Sequence, residues 1–238
     1  MRRRLGTIFI VVGLLVLAYA AAVLFWRDPI TDLYARYQQH RLDSQLEHEF
    51  EAWKPAAGAV PDDSSPGEGT AAAEAAVRLN ASAFLRSLHE GQALGRIRIP
   101  RLGLEAVFVH GTRWAQDLSR GPGHYERTSL PGLGKTVGIA GHRTTFGAPF
   151  RHIDRLESGD TIVLELPYGT FRYRVFAHRI VDSDDWSVIR NRGFDTVMLS
   201  ACHPLYSAKE RWIVFGRLVE VVPRGGTAYA LSGSAASS

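Results

Sequence analysis

Residues 196–222 read TVMLSACHPLYSAKERWIVFGRLVEVV. Two β-rich runs, 196–201 and 211–222, flank a loop at 203–210 that carries Pro204. Proline cannot donate to a central ladder, so the first run ends before it. Val197 to Ala201 is therefore a strand, and Cys202 stands at its exit, near the surface. If the two runs pair antiparallel, the last residue of one lies beside the first of the other. That sets Cys202 next to Arg211 at one end of a sheet. A guanidinium there favours thiolate over thiol and offers hydrogen bonds to a developing oxyanion.

Upstream, the same kind of run recurs at 94–99 (LGRIRI), 105–110 (EAVFVH), 137–141 (VGIAG), 160–166 (DTIVLEL) and 171–181 (FRYRVFAHRIV). Phe171, Tyr173 and Val175 alternate with Arg172 and Arg174, the period-two pattern of a half-buried strand. So many short strands broken by Gly and Pro predict an all-β domain over 94–223, a compact barrel or sandwich. The small polar residues of 224–238 predict a disordered tail.

The N-terminal part has a different character. Residues 1–4 form a basic tip with Arg2, Arg3 and Arg4. The run from Leu5 to Trp26 carries no charge and, at 1.5 Å per residue, spans roughly 33 Å, the thickness of a bilayer's hydrocarbon core. The arginines before it predict a cytoplasmic N-terminus and an extracellular remainder, so the chain reads as a single-pass protein of the cell membrane. Ala18-Tyr19-Ala20 also fits a signal-peptide cleavage site, but the apolar run continues past it to Trp26, which favours an uncleaved anchor.

Residues 27–93 read as a stalk, a flexible linker and a leading helix. Apolar groups at Ile30, Leu33, Tyr34, Tyr37, Leu42, Leu46, Phe50 and Trp53 predict an amphipathic stalk helix. Residues 55–69 are rich in Pro, Gly and Ser and read as the linker. Val77, Phe84, Leu85 and Leu88 group on one face of a helix that packs on the next domain.

Composition narrows the chemistry. With 45% hydrophobic and 22% charged residues, the 238-residue chain has a core, and wholesale disorder is excluded. A single cysteine excludes an intrachain disulfide framework and Cys-rich metal sites. A net charge of +4 with no basic stripe interleaved by aromatics argues against nucleic-acid binding. A thiol at its basal pKa wants a proton-transfer partner, and histidine is the usual one. His142 is best placed, ending the run 137–141, where Gly138 and Gly141 allow close approach; His110 and His124 stay in contention.

Gly111-Thr112, GPGHY (121–125), PGLGKTVGIAGHRTTFGAPF (131–150), LSACHP (199–204) and SAKERWIVFGRL (207–218) together resemble the sortases, most narrowly the class E sortases of high-GC Gram-positive bacteria. The likeness covers 94–222 in unbroken order. It implies an eight-stranded sortase-type β-barrel with short helices, behind a membrane anchor, and a cysteine transpeptidase that uses no cofactor and no metal. It also implies roles. Cys202 is the nucleophile that attacks the Thr–Gly bond of a C-terminal sorting signal and forms a thioacyl enzyme. His142 protonates the leaving amine, and Arg211 holds the substrate backbone and the oxyanion. The implied partners are surface proteins carrying that signal and an amine of lipid II or peptidoglycan.

Sortases usually carry Thr-Leu-x-Thr-Cys at the nucleophile; here the residues are Met198-Leu199-Ser200-Ala201-Cys202. Ala201 is expected to line the substrate pocket without the usual hydroxyl, at a cost of about 1 kcal/mol if that hydroxyl bonds substrate. Ser200 is expected to face the other side of the strand. Thr144, with Arg143 and Thr145, is expected in the wall of the site. Tyr125 is a candidate for reading the second position of a Leu-Ala-x-Thr-Gly or Leu-Pro-x-Thr-Gly signal. Two other readings are a cysteine protease that releases surface proteins, and a degenerate sortase-fold binding module. The acidic cluster Asp182, Asp184 and Asp185 reads as a solvated turn, since it lacks the spaced oxygen ligands of a calcium loop.

Overall fold

The computed structural model describes residues 2–25, 28–58 and 68–231. Three helices lead the chain: α1 (Arg2–Phe25), α2 (Pro29–Ala52) and α3 (Glu68–Ser87). Nine strands follow: β1 (Ala93–Ile99), β2 (Leu104–His110), β3 (Gly123–His124), β4 (Thr136–Ala140), β5 (Thr161–Leu166), β6 (Gly169–Asp182), β7 (Thr196–His203), β8 (Glu210–Pro223) and β9 (Tyr229–Ala230). They run in the order β6-β5-β1-β2-β3-β4-β7-β8-β9, and a further β6–β8 pairing closes the first eight into a barrel. The two parallel pairings are β2–β3 and β4–β7.

Closure follows from the strand patterns. β5 and the first half of β6 alternate buried with half-exposed residues, so Ile162, Leu164, Phe171, Tyr173 and Val175 fill the barrel. β4 is buried on both faces. Glycines let side chains pack closely on each face. A Cβ on Gly138 would stand 2.9 Å from the Tyr125 ring outside the barrel, and one on Gly141, just past β4, 2.6 Å from the core residue Phe150.

The helices are part of this fold. α3 closes the core with Val77, Ala81 and Phe84. The stalk expectation for α2 is corrected. Leu42, Leu46 and Phe50, spaced by four, pack with Ala93, Val107 and Val109 on the outside of β1 and β2. Gln39 bonds both the N–H (2.8 Å) and the carbonyl (2.9 Å) of Val107, as another strand would. Arg96 reaches from β1 to Asp43 and Glu47 of α2. Ile30, Leu33, Tyr34 and Tyr37 lie off the buried stripe and stay exposed, because the apolar groups of 30–53 do not share one face.

The expected tail is corrected too. Tyr229 and Ala230 pair with β8, and Tyr229 and Leu231 pack against the barrel core, so the domain runs past residue 223. Residues 232–238, and residues 59–67 of the expected linker, lie outside the described residues.

Two buried ionisable groups brace the barrel, with opposite pH dependence. Asp195, just before β7, accepts the N–H groups of Gly132 (3.0 Å) and Gly134 (2.8 Å), and burial raises its carboxyl to about 6. His124, on β3, is fully buried and held down at about 4 by that burial. The Ser129 carbonyl can only accept, so His124 Nε2 carries the proton (2.8 Å) and Nδ1 accepts from His110 Nδ1 (3.1 Å). Between pH 4 and 6.5 the unfolded chain binds a proton at His124 that the fold refuses, so this group's contribution to stability is lost as pH falls. Asp195 works the other way: the fold keeps a proton from 3.8 to about 6 that the unfolded chain releases, so stability falls as pH rises. The two offset each other. In Asp195→Asn the histidine dependence stands alone, and unfolding free energy measured by denaturant titration should gain about 1.4 kcal/mol per pH unit relative to wild type over the shared window. Equal slopes in the two proteins would contradict this assignment.

Candidate active site

β7 and β8 pair antiparallel with Cys202 opposite Arg211, as the loop length suggested. Alternation decides their face. Val197, Leu199 and Ala201 point into the barrel core. Met198 lies on the other face, in a cluster with Val188, Ile213 and Phe215. Cys202 and Arg211 share this outer face, where directly opposed side chains come within reach of each other. Cys202 is partly exposed, and Arg211 Nη1 donates to the carbonyls of Ala208 (2.7 Å) and Glu210 (2.9 Å) in the loop between the strands. Among the described residues no hydrogen bond uses its Nε or Nη2.

β4 lies on the other side of β7. The parallel register is constant from Thr136↔Thr196 to Ala140↔Ser200, and Gly141 N–H continues it by donating to Ser200 O at 3.0 Å. β4 ends at Ala140, and His142 follows two residues on, at the end of the barrel where Cys202 stands two residues past Ser200 on β7. Cys202 thus has Arg211 opposite it on β8, while His142 leaves the sheet just past the end of β4, the strand on the other side of β7. His110 and His124 instead pair with each other behind β3, and neither is brought to Cys202 by this register.

His142 is capped by aromatic rings. Phe146 lies 5.4 Å and Trp114 6.4 Å from its ring centre, and these two lie 5.6 Å from each other. Its Nε2 is shut from solvent and has no hydrogen-bond partner among the described residues. Burial therefore holds its pKa below 6.5 and keeps the ring neutral at neutral pH. The cap is fastened to α2: Phe146 N–H donates to Thr31 Oγ1 (3.0 Å), and Tyr34 packs edge-on against Phe146. Phe146 and Ala148 have positive φ (50° and 44°), so the loop after His142 folds tightly back.

Arg143 does more than form a wall. It is 4% exposed, and its guanidinium donates to the carbonyls of Cys202 (3.3 Å) and Arg151 (3.2 Å) and pairs with Asp154 at 2.9 Å. It ties the backbone of Cys202 to the loop that follows His142. A lysine has no planar fork for several such partners. Sequence reasoning placed Arg143 in the wall and missed Trp114 and Phe146. A tryptophan in the polar stretch after Gly111-Thr112 was the available signal.

The remaining candidates separate. Tyr125 lines a small cavity of about 30 Å³ with Trp186, Met198, Ser200 and Arg211, and its ring packs against Trp186 at 6.2 Å. Ser200 is in this cavity; Ala201 is not. Ala201 is 3% exposed and packed in the core, because adjacent residues of a strand point to opposite faces. Thr144 is half-buried in the loop after His142. Asp185 caps the short helical turn at 186–189 by accepting from Ser187 N–H (2.8 Å). A larger cavity of 320 Å³ lies at the opposite end of the barrel, around Asp195.

The sortase domain family matches residues 97–219. Sortase D of Bacillus subtilis is 37% identical over 133 residues, 54% of this chain and 65% of that protein. Sortase SrtE1 of Streptomyces coelicolor is 30% identical over 237 residues, 93% of this chain and 58% of that protein. The chain thus spans less than two thirds of the length of either relative. Among solved structures, sortase E1 from S. coelicolor with a tripeptide in its active site is similar with a TM-score of 0.55 and 30% identity, covering 58% of this chain and 95% of that one. A Clostridium perfringens sortase D5 transpeptidase shares the fold with a TM-score of 0.58 at 22% identity, over 77% of this chain and 99% of that one.

The cap gives a pH prediction. Where a neutral His142 must take a proton, kcat/KM falls on the acid side at the pKa of the capped ring, below 6.5. Trp114→Ala opens the ring to water and should move that acid limb up towards 6.5. A limb unmoved by the substitution would mean that the cap does not set the protonation of His142.

Proposed function

This chain belongs to the sortase family, and on that premise we propose that it is a membrane-anchored cysteine transpeptidase acting on C-terminal sorting signals outside the cell. The observation that carries the reading is that Cys202 stands opposite Arg211 on β8, while His142 leaves the sheet just past β4, on the other side of β7, at the same end of the barrel. A tripeptide occupies the active site of the S. coelicolor sortase E1 structure, and a peptide backbone is the ligand proposed for this one. α1 contributes a span, Arg4–Val23, long and apolar enough to cross a membrane. The arginines ahead of it orient the N-terminus to the cytoplasm.

The steps follow from the geometry. Cys202 Sγ attacks the threonine carbonyl of a Leu-Ala-x-Thr-Gly or Leu-Pro-x-Thr-Gly signal, and a C–S bond forms. The thiol proton passes to the neutral His142, which then gives it to the glycine nitrogen as the C–N bond breaks. This reading gives Arg211 Nε–H and Nη2–H, which make no hydrogen bond among the described residues, the role of donors to the oxyanion that develops between these events. In the second half, an amine of lipid II or peptidoglycan attacks the thioester, His142 takes its proton, and the thiol is restored. The aromatic cap keeps water from the thioester, which favours transfer to an amine over hydrolysis. Tyr125 and Ser200 sit where the second position of the signal is read.

The test is ligation. The purified chain in detergent, given Leu-Ala-x-Thr-Gly and Leu-Pro-x-Thr-Gly peptides and triglycine, should yield the Thr-triglycine product by mass spectrometry. Cys202→Ala should abolish it, and Arg211→Lys should lower kcat by about 10²-fold or more, as for loss of an oxyanion donor. Hydrolysed peptide alone would favour a protease. Binding without turnover would overturn the enzymatic reading.

A further inference from the structure

The end of the barrel that carries Cys202 touches the membrane helix by one direct hydrogen bond, and the start of α2 touches it by another. Tyr206, in the loop between Cys202 and Arg211, donates from its hydroxyl to the carbonyl of Val23 at 3.2 Å. Val23 is the last residue of the apolar span. Tyr19, deeper in that span, donates to the carboxylate of Asp28 (3.0 Å), and Asp28 caps α2 by accepting from Ile30 N–H (3.1 Å). The start of α2 and the β7–β8 loop are therefore both held at the level where α1 ends.

Several large exposed apolar residues stand on the start of α2, at Trp114 and in the β7–β8 loop, while Leu79, Phe176, Ile180 and Trp186 are exposed elsewhere. Leu33 is 71% exposed, Trp114 63% and Tyr206 52%, and Ile30, Tyr37 and Leu205 are exposed as well. Along this apolar rim, ring contacts link the start of α2 to Trp114. Tyr34 of α2 touches Phe146, Phe146 touches Trp114, and Trp114 touches His142. A soluble surface seldom exposes so many large apolar groups together. Tyr and Trp among aliphatic residues is the composition of a membrane–water interface. At the far end of the barrel, Lys135 is exposed ahead of β4.

We propose that this rim is a bilayer-docking surface: the α2 N-terminus, Trp114 and the Leu205–Tyr206 loop rest in the lipid interface, so that the Cys202 end of the barrel faces the membrane. The occupant is the lipid surface itself, since Tyr206 already contacts the helix that spans it. The consequence is that signal peptides and lipid-borne amines reach Cys202 along the membrane plane. The proposal rests on α1 being a membrane anchor, but not on turnover.

The lone native cysteine makes the test clean. In a Cys202→Ser background of the full chain, single cysteines are introduced by Leu15→Cys, Leu33→Cys, Leu205→Cys and Lys135→Cys. Each is labelled with an environment-sensitive fluorophore in phosphatidylcholine–phosphatidylglycerol vesicles. The expected result is that labels at 15, 33 and 205 emit to the blue of the label at 135. They should also lose most of their intensity to a lipid-borne nitroxide and little to aqueous iodide. If 33 and 205 behave like 135 while 15 is quenched from the lipid, the anchor stands and the docked face is overturned. If 15 is also aqueous, the anchor fails and the proposal fails with it.

Discussion

The parallel pairing of β4 with β7 is the constraint on which the catalytic end depends. Its register runs unbroken from Thr136↔Thr196 to the Gly141–Ser200 hydrogen bond, and so fixes where His142 leaves the sheet relative to Cys202. The antiparallel β7–β8 ladder fixes Arg211 in the same way. A slip of one residue in either ladder would turn a member of the set to the opposite face. Bulk guards against that slip: Met198, Ile213 and Phe215 fill the outer face below the site, while Leu199, Ala201 and Val214 fill the core behind it. Cys202 and Arg211 are thus held by packing on both faces of their ladder, and His142 leaves the sheet beside them. Arg143 adds a cross-tie from the Cys202 carbonyl to the loop after His142.

Around that rigid centre the cover is contributed by chain that precedes the barrel. α2 supplies Gln39 and the Leu42–Leu46–Phe50 stripe to β1 and β2, and Thr31 and Tyr34 to the cap over His142. One helix therefore touches both the scaffold and the lid of the site. Because it begins a few residues beyond the apolar span, the same helix connects the site to the membrane. The environment of His142, a neutral imidazole under aromatic rings, is a product of this packing.

The sequence made much of this legible, for identifiable reasons. Strands such as 161–166 and 169–182 show period-two burial, so their runs were visible. Cys202 and Arg211 were placed together because one short loop separates their strands. β3, two residues long, has no periodicity to read, and β9 hides in a polar tail. The position of His142 relied on a pairing between segments sixty residues apart, with no turn to set its register, so its place at the end of a run favoured it over His110 and His124 and the resemblance to sortases decided among them. Ala201 was expected in the substrate pocket because it precedes the nucleophile, yet strand alternation gives that face to Ser200. The inner face of α2 was misjudged for a similar reason: its exposed aromatics at 34 and 37 look in sequence like core residues.

The central claim is that Cys202, flanked by His142 and Arg211, carries the acyl group between two peptides. Intact-protein mass spectrometry after a brief incubation with sorting-signal peptide, quenched in acid without an amine acceptor, addresses it directly. The account predicts an adduct equal to the peptide up to its threonine, without the glycine, located on Cys202, discharged by added triglycine and absent from Cys202→Ala. An enzyme that turns the peptide over with no such adduct, or that carries it on another residue, would contradict the account.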